Sequence, residues 1–334
     1  MFFTNAEIIK SATLETINFC FSTLIPSLFP YMVLSSLFSQ SNLVNQALSS
    51  ILHPLFKVLG ICRKYTSPIF FGNFCGFING PKLLCKYFTP NHSKKTFNRL
   101  IIVSSNAGFS FVVLIVGVKI WGNMTYGLIL YLFQIIVSFL INYSSNKSER
   151  DNDFEIKNSN FFTSFTNSIT SSASTMFNVC FFTIFTSIIL KIILNVFRIP
   201  DYSILHLLLG ALLDVTQGVI SSASNNNAFI SSFFTGFSVG FGGLSILFQT
   251  FSICSEKGIN IKKFILMKFI QGIICGVFSL IYTRAFSIEP IRLTSVFSSN
   301  LTILCLIFFF IATFFNFMLR SVDFFKNIIY NIIK

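Results

Sequence analysis

The sequence predicts an all-α polytopic membrane protein with about seven to nine membrane segments, including two glycine-rich re-entrant hairpins in two inverted-repeat-like halves. Two observations set the class. Of the 334 residues, 53% are hydrophobic and only 10% are charged, whereas a soluble domain carries about 25% charged residues. Several apolar runs also reach the ~20 residues that a helix needs to cross a bilayer. A third observation, a repeated glycine pattern, predicts the hairpins.

The basic residues are spread over short loops and give a net charge of +13. In a membrane protein such charges contact anionic lipid and fix orientation, so they predict membrane lipid as a partner and no nucleic acid. The 8 cysteines form no CxxC pair, and His53, His92 and His206 show no metal-ligand spacing. The sequence therefore predicts no metal site and no cofactor.

The first half, residues 1–141, contains five apolar segments. Residues 17–38 are expected to form an uncleaved first span, kinked at Pro26 and Pro30, because no small-residue cleavage site follows. The weaker segment, residues 43–59, is expected at the membrane interface. The remaining segments are residues 66–88, 101–120 and 124–141.

A polar connection at residues 142–160, rich in Ser, Asn and mixed charge, separates the two halves. The tail, residues 321–334, alternates apolar and basic residues and is expected to lie along the membrane surface. The second half, residues 161–320, contains the apolar segments 175–197, 207–222, 228–253, 264–282 and 296–319.

Asp214 is the carboxylate that stands out, because it lies inside the apolar segment 207–222. An unpaired charge at mid-membrane costs about 2.5–3.5 kcal/mol on insertion scales, so such a residue usually faces a partner or a wet cavity. Gly210, Asp214 and Gly218 are four residues apart and share one face if the segment is helical. Two interpretations stay open: a buried functional site, or a packing seam in which Asp214 bonds a neighbouring helix.

The same four-residue spacing recurs in the first half. The stretches GNFCGFINGP (residues 72–81) and GALLDVTQGV (residues 210–219) each place three landmark residues four apart, with an amide before the last glycine. Further along the chain, GFS at residues 108–110 echoes GLS at residues 243–245. The repeat predicts two related halves; the alternative is a chance match in glycine-rich sequence.

The basic loops predict that these two segments do not cross the membrane. If every apolar run crossed, the loops at Lys94 and Lys257 would lie on opposite faces, whereas the positive-inside tendency places both in the cytoplasm. The conflict disappears if residues 72–82 and 207–222 enter from opposite faces and return. The chain then has about seven crossings, two hairpins and a cytoplasmic C-terminus, and such hairpins form the substrate site of many secondary transporters.

Several stretches of the chain resemble the sporulation integral membrane proteins of the YlbJ type, which carry the nucleoside-recognition (Gate) domain. The resemblance covers most of the chain in the same order. The matching stretches are LIPSLFPYMVLSSLF (24–38), GFINGPK (76–82), NRLIIVSSNAGFSF (98–111), VGVKIWGN (116–123), LLGALLDVTQG (208–218), GFGGLSILFQTFSI (240–253) and the following KFILMKFIQG.

Two positions depart from that family. Its first hairpin motif, GYPxGAK, has a proline where this chain has Ile78, which leaves the shape of the first hairpin open. Its second motif commonly has Glu where this chain has the shorter Asp214. The resemblance implies a role in endospore formation, in the mother-cell membranes around the forespore. Related Gate domains occur in nucleoside and ferrous-iron transporters.

The sequence therefore predicts a transporter-like protein of the bacterial cell membrane that moves a small polar solute, nucleoside-like or an ion. Asp214 is expected to bind a cation, a proton or a donor group, with Lys82 as a counter-charge. Each other polar side chain also has an interpretation as a helix–helix hydrogen bond. The other positions predicted for the substrate or ion site are Gln217, Gly218, Thr216, Asn79, Gly80, Asn106, Gly108, Ser245 and Gln249.

A second function remains open: a non-transporting membrane scaffold for assembly of the spore envelope (cortex). It predicts that these polar residues tolerate change while loops such as residues 142–160 do not. An enzyme is not predicted, because the chain lacks HExxH, GxSxG and a phosphate-binding glycine loop. The sequence is compatible with a homo-oligomer.

Overall fold

The computed structural model describes residues 6–88, 94–143, 161–201, 203–225 and 227–290. Every regular element in these ranges is a helix. The first half contains α1 (Ala6–Phe19), α2 (Ile25–Ser39), α3 (Asn42–Val58), α4 (Arg63–Cys75), α5 (Asn79–Tyr87), α6 (Lys94–Ser104), a π-type helix (Ser110–Ile120) and α7 (Met124–Ile141). The second half contains α8 (Phe161–Val196), α9 (Ile204–Leu213), α10 (Val215–Ala223), α11 (Ala228–Phe241), α12 (Gly243–Cys254) and α13 (Ile261–Phe286).

Five helical stretches in the described ranges are long and apolar enough to cross a membrane. The shortest has 18 residues, which at 1.5 Å per residue gives about 27 Å, close to the ~30 Å hydrocarbon core. This is compatible with the predicted multi-pass membrane protein. The five are Ala6–Ser39, Met124–Ile141, Phe161–Val196, Ala228–Lys257 and Ile261–Phe286. The predicted span 296–319, the tail and nearly all of the polar connection lie outside the described residues.

The long helices carry apolar side chains on the outside and polar side chains within. On α7, Leu132 and Ile136 are exposed, whereas Gln134 and Ser138 are buried. On α8, exposed phenylalanines recur every fourth residue at positions 177, 181 and 185. A soluble protein seldom exposes continuous apolar stripes of this kind, so these faces fit contact with lipid.

Two helices begin well before the predicted apolar segments. The first starts at Ala6 rather than at residue 17, and it widens into a π-type turn at Cys20–Leu24, directly before the helix that contains Pro26 and Pro30. In the second half, α8 starts at Phe161 rather than at residue 175. Its first turns are rich in Ser and Thr and are bonded to the end of α2. Gln40 Nε2, directly after α2, donates to Ser168 Oγ at 2.9 Å.

Two pairs of short helices fold back on themselves as helical hairpins. In the α4–α5 hairpin, Gly72 faces the backbone of Gly80 so closely that a Cβ atom has no room. In the α9–α10 hairpin, a Cβ on Gly218 would lie 2.6 Å from Ala211 Cα. Glycine therefore sets the close approach of the two arms in both hairpins.

The basic loops lie together at one end of the molecule, called here the basic end. The Asn260 N–H donates to Asn98 Oδ1 at 2.6 Å, and a Cβ on Gly258 would lie 3.4 Å from Lys94 Cε. Arg99 bonds the carbonyl of Gly60. The α3–α4 connection, the start of α6 and the α12–α13 connection therefore share one end.

Candidate functional site

Four helical stretches are interrupted, and the interruptions meet inside the molecule. We call this meeting point the central crossing. It consists of residues 76–78 between α4 and α5, residues 105–109 before the π-type helix, Asp214 between α9 and α10, and Gly242 between α11 and α12, together with Gly243, the first residue of α12.

The same kind of contact joins the interruptions within each half. In the first half, a Cβ on Gly76 would lie 3.1 Å from Gly108 N, and Ser105 Oγ donates to the Phe77 carbonyl at 3.1 Å. In the second half, a Cβ on Gly243 would lie 2.6 Å from Asp214 Cα. The glycines of the echoed GFS and GLS stretches thus contact the middle landmark residue of the echoed hairpins.

Phe77 connects the two halves. Its ring lies against Gly242, where a Cβ would be 2.9 Å from Phe77 Cε1. The Lys268 ammonium lies 5.7 Å from the centre of the same ring. At that separation a cation interacts favourably with the electron-rich face of an aromatic ring.

Asp214 interrupts its helix rather than lying within one. Its backbone is extended (φ −154°, ψ 143°), and Oδ2 accepts the Thr216 N–H at 3.0 Å as the N-cap of α10. The residue is 2% exposed, and its carboxylate also interacts with the Ser245 and Thr216 hydroxyls and the Gln217 N–H. An aspartate caps a helix well because its short side chain reaches these unpaired N–H groups. Gly210 and Gly218 therefore lie on opposite arms of a hairpin and not on one helix face.

A buried lysine is the second ionisable group at the crossing. Lys268 on α13 is fully buried, and Nζ donates to Asn106 Oδ1 and Gln271 Oε1 at 3.0 Å each and to the Ser105 carbonyl. Among the described residues no carboxylate forms an ion pair with it. In the described part of the chain, neutral oxygen atoms and the Phe77 ring therefore solvate this ammonium group.

Asn106 is the centre of that network. Its Oδ1 accepts from Gln271 Nε2 at 2.8 Å as well as from Lys268, and its Nδ2 donates to Asn73 Oδ1 at 2.6 Å and to the Val103 carbonyl at 2.9 Å. The network joins α4, the 105–109 interruption and α13. A change at Asn106 therefore reaches three helical stretches at once.

Some buried polar atoms near the crossing have no hydrogen-bond partner among the described residues. They include Gln249 Oε1 and Thr250 Oγ1 on α12, Gln134 Oε1 on α7 and Ser110 Oγ at the start of the π-type helix. An unmade buried hydrogen bond costs about 1–3 kcal/mol. Gln249 also donates to Ser245, next to Asp214, at 3.1 Å. These buried atoms therefore have unused hydrogen-bonding capacity in the interior of the molecule.

Two of the predicted site residues lie elsewhere. Asn79 and Lys82 line a cavity of about 220 Å³ between α2, α5 and α8. The Lys82 ammonium donates to Ser171 Oγ at 2.8 Å, to Thr175 Oγ1 at 3.0 Å and to the Ser171 carbonyl at 3.4 Å, so its described partners are neutral oxygen atoms. Gly80, Gly108 and Gly218 are positions of close backbone approach. The residues that the structure places at or beside the central crossing are Asp214, Thr216, Gln217, Asn106, Gly108, Ser245 and Gln249.

The sequence interpretation missed Lys268, Gln271, Asn73 and Gln134. One signal was present: Lys268 and Gln271 are three residues apart in an apolar segment, and so share a helix face. No group of three or more His, Cys, Asp or Glu side chains suited to a metal ion occurs in the described residues.

The comparisons with known proteins add no relative. No family model, no curated protein and no solved structure matches this chain.

Proposed function

We propose that this chain is a transporter-like integral membrane protein of endospore formation, which moves a small polar solute or ion through the central crossing. The observation that carries the proposal is the meeting of four helix interruptions around buried Asp214 and Lys268. Buried ionisable groups in a membrane protein usually belong to a substrate or ion path. Irregular backbone at membrane depth is tolerated where it lines a cavity or is buried in protein.

We infer that the α4–α5 and α9–α10 hairpins are re-entrant and enter from opposite faces. The contact between Asn98 and Asn260 supports this, because the two loops would lie on opposite faces if the second hairpin crossed. The α4–α5 hairpin opens at the basic end. The α9–α10 hairpin follows α8 and therefore starts at the end of α8 that lies away from the basic end. Near that end, Lys191 Nζ lies 3.8 Å from Glu15 Oε2 on α1. Opposed hairpins meeting near the midplane are a known transporter architecture.

The link to sporulation rests on the stretches that resemble the YlbJ type, such as residues 76–82 and 208–218. The link to transport rests on the crossing and does not need that resemblance.

Replacing Asp214 with asparagine tests the proposal. Asparagine keeps the cap on α10, so the protein is expected to insert normally. Losing a charged partner worth about 1.5–3 kcal/mol lowers the apparent affinity for a bound solute roughly 10- to 150-fold. In a spore-forming bacterium that lacks its own copy, we expect Asp214→Asn to reduce heat-resistant spore numbers at normal membrane levels of protein.

The matched control is Asp201→Asn. Asp201 is exposed, and its Oδ1 lies 3.9 Å from His206 Nδ1. This variant is expected to sporulate like the parent chain. Normal sporulation by Asp214→Asn contradicts the transport proposal and favours the scaffold.

A further inference from the structure

The cavity between α2, α5 and α8 has an unusual lining. It measures about 220 Å³, and only Met32 and Leu83 among its lining residues are apolar. The others are serines, asparagines, a glutamine and the lysines Lys82 and Lys86. A polar, hydroxyl-rich cavity beside a lipid-facing helix such as α8 is suited to a hydrophilic ligand.

The charge of the cavity is positive. Neither aspartate nor glutamate occurs among the described residues that line it. Lys82 is half-buried, and its ammonium meets the hydroxyls of Ser171 and Thr175. Neutral hydroxyls solvate a cation but do not balance its charge, so an anion is the ligand that this lining favours.

The first turn of α5 adds to the positive electrostatic potential in the cavity. Asn79, the first residue of the nine-residue helix α5, lines the cavity together with Lys82. The N-terminal turn of a helix carries a partial positive charge, which favours an anion nearby. In α5 the N–H groups of Asn79 and Lys82 are bonded to the carbonyls of Gly76 and Ile78, and Pro81 has no N–H, so the turn contributes through this charge. The lysine Lys82 and the N-terminus of α5 therefore both favour an anion in the cavity.

The cavity volume limits the size of the ligand. A cavity of about 220 Å³ has room for several water molecules. Drug-sized ligands occupy about 300–1,000 Å³. A tetrahedral oxyanion with a few waters fits, and a whole nucleotide does not.

We propose that this cavity binds a small oxyanion of the phosphate class through Lys82, with Lys86 at its mouth. The inference goes beyond the proposed function and does not rest on it, because the cavity lies beside the α4–α5 hairpin and none of its lining residues belongs to the central crossing. The same phosphoryl chemistry is offered by inorganic phosphate and by the headgroup of an anionic lipid.

Binding of inorganic phosphate to the purified full-length protein in an uncharged detergent tests the inference. Isothermal titration is expected to show saturable phosphate binding that Lys82→Met weakens at least about tenfold, the effect of losing one charged contact. The matched control is Lys119→Met. Lys119 is also half-buried and donates to a hydroxyl, Thr23 Oγ1 at 2.5 Å, but lies outside the cavity. Equal binding by Lys82→Met and the parent chain overturns the proposal.

Nanodiscs separate the two sources of phosphate. If a lipid headgroup fills the cavity, discs containing phosphatidylglycerol block phosphate binding, and native mass spectrometry finds that lipid retained by the parent chain but not by Lys82→Met. If the ligand is a soluble oxyanion, phosphate binds equally in phosphatidylcholine and phosphatidylglycerol discs. Absence of both phosphate and retained anionic lipid overturns the proposal.

These measurements do not depend on transport. A parent chain that neither binds phosphate nor retains anionic lipid removes the anion assignment and leaves the Asp214 test standing. Normal sporulation by Asp214→Asn in a protein that binds phosphate removes the transport proposal and leaves the anion cavity.

Discussion

Replacing Asn106 with leucine is expected to destabilise the protein by about 3–5 kcal/mol. This combines the loss of a hydrogen bond to a charged group, about 1.5–3 kcal/mol, with a buried Asn73 acceptor left unpaired, about 1–3 kcal/mol. The substitution removes an acceptor from both Lys268 Nζ and Gln271 Nε2. It also removes the donor to Asn73 Oδ1 and the Val103 carbonyl. Because the ammonium group is fully buried, water cannot replace the lost oxygen.

A double-mutant cycle separates the charge from simple packing. Lys268→Met removes the ammonium group. The double variant with Asn106→Leu is therefore expected to lose about 1–3 kcal/mol less free energy of unfolding than the sum of the two single losses. The measurement is the free energy of unfolding in mixed micelles. Asn142→Leu, which loses one hydrogen bond to the Ser138 carbonyl on α7, serves as the control and is expected to cost about 1 kcal/mol. Strict additivity of the two substitutions contradicts the network.

Replacing Gly243 with alanine is expected to disrupt the central crossing. Gly243 has φ +82°, and its Cβ would lie 2.6 Å from Asp214 Cα. The left-handed backbone alone costs a non-glycine residue about 1–2 kcal/mol. Displacing the Asp214 backbone adds about 1–3 kcal/mol, so the free energy of unfolding is expected to fall by about 2–5 kcal/mol.

Gly258 provides a matched control for that substitution. It has φ +76°, but its Cβ would meet only the Lys94 side chain, at 3.4 Å or more. Gly258→Ala therefore retains the backbone cost of about 1–2 kcal/mol without the clash. Equal losses of unfolding free energy in the two variants contradict the contact between residues 243 and 214.

The elements that the sequence predicted most closely depend on local chemistry. The segment 124–141 coincides with α7, because Asn123 caps it by accepting the Tyr126 N–H at 2.9 Å and its apolar run has the length of a span. In α8 the prediction began 14 residues late, since residues 161–174 are polar by composition, yet they form the first turns of the helix and bury Ser164, Ser168 and Ser172. Tertiary contacts decide whether such a polar stretch is helical, and a hydropathy pattern carries no information on those contacts.

The central crossing was predictable only in part. The residues around Asp214 and the pair Gly242–Gly243 indicate helix breaks that are visible in the neighbouring sequence. The partners of Lys268 cannot be read in this way, because its bonds to Asn106 and Ser105 span 162 and 163 residues. Separations of that size reflect how the helices are packed, which the sequence spacing within one helix does not describe.

Cysteine labelling tests most directly the central claim that the α9–α10 hairpin enters from the face opposite to the basic end and returns without crossing. Single cysteines at Lys95, Glu256 and Ser224, three exposed positions in the basic loops and after α10, are placed in a variant lacking the 8 native cysteines. A membrane-impermeant maleimide applied to intact spheroplasts and to inverted vesicles reports their sides. We expect residues 95 and 256 to react together from the cytoplasmic face, and residue 224 from the opposite face. Labelling of residues 95 and 256 from opposite faces contradicts the account.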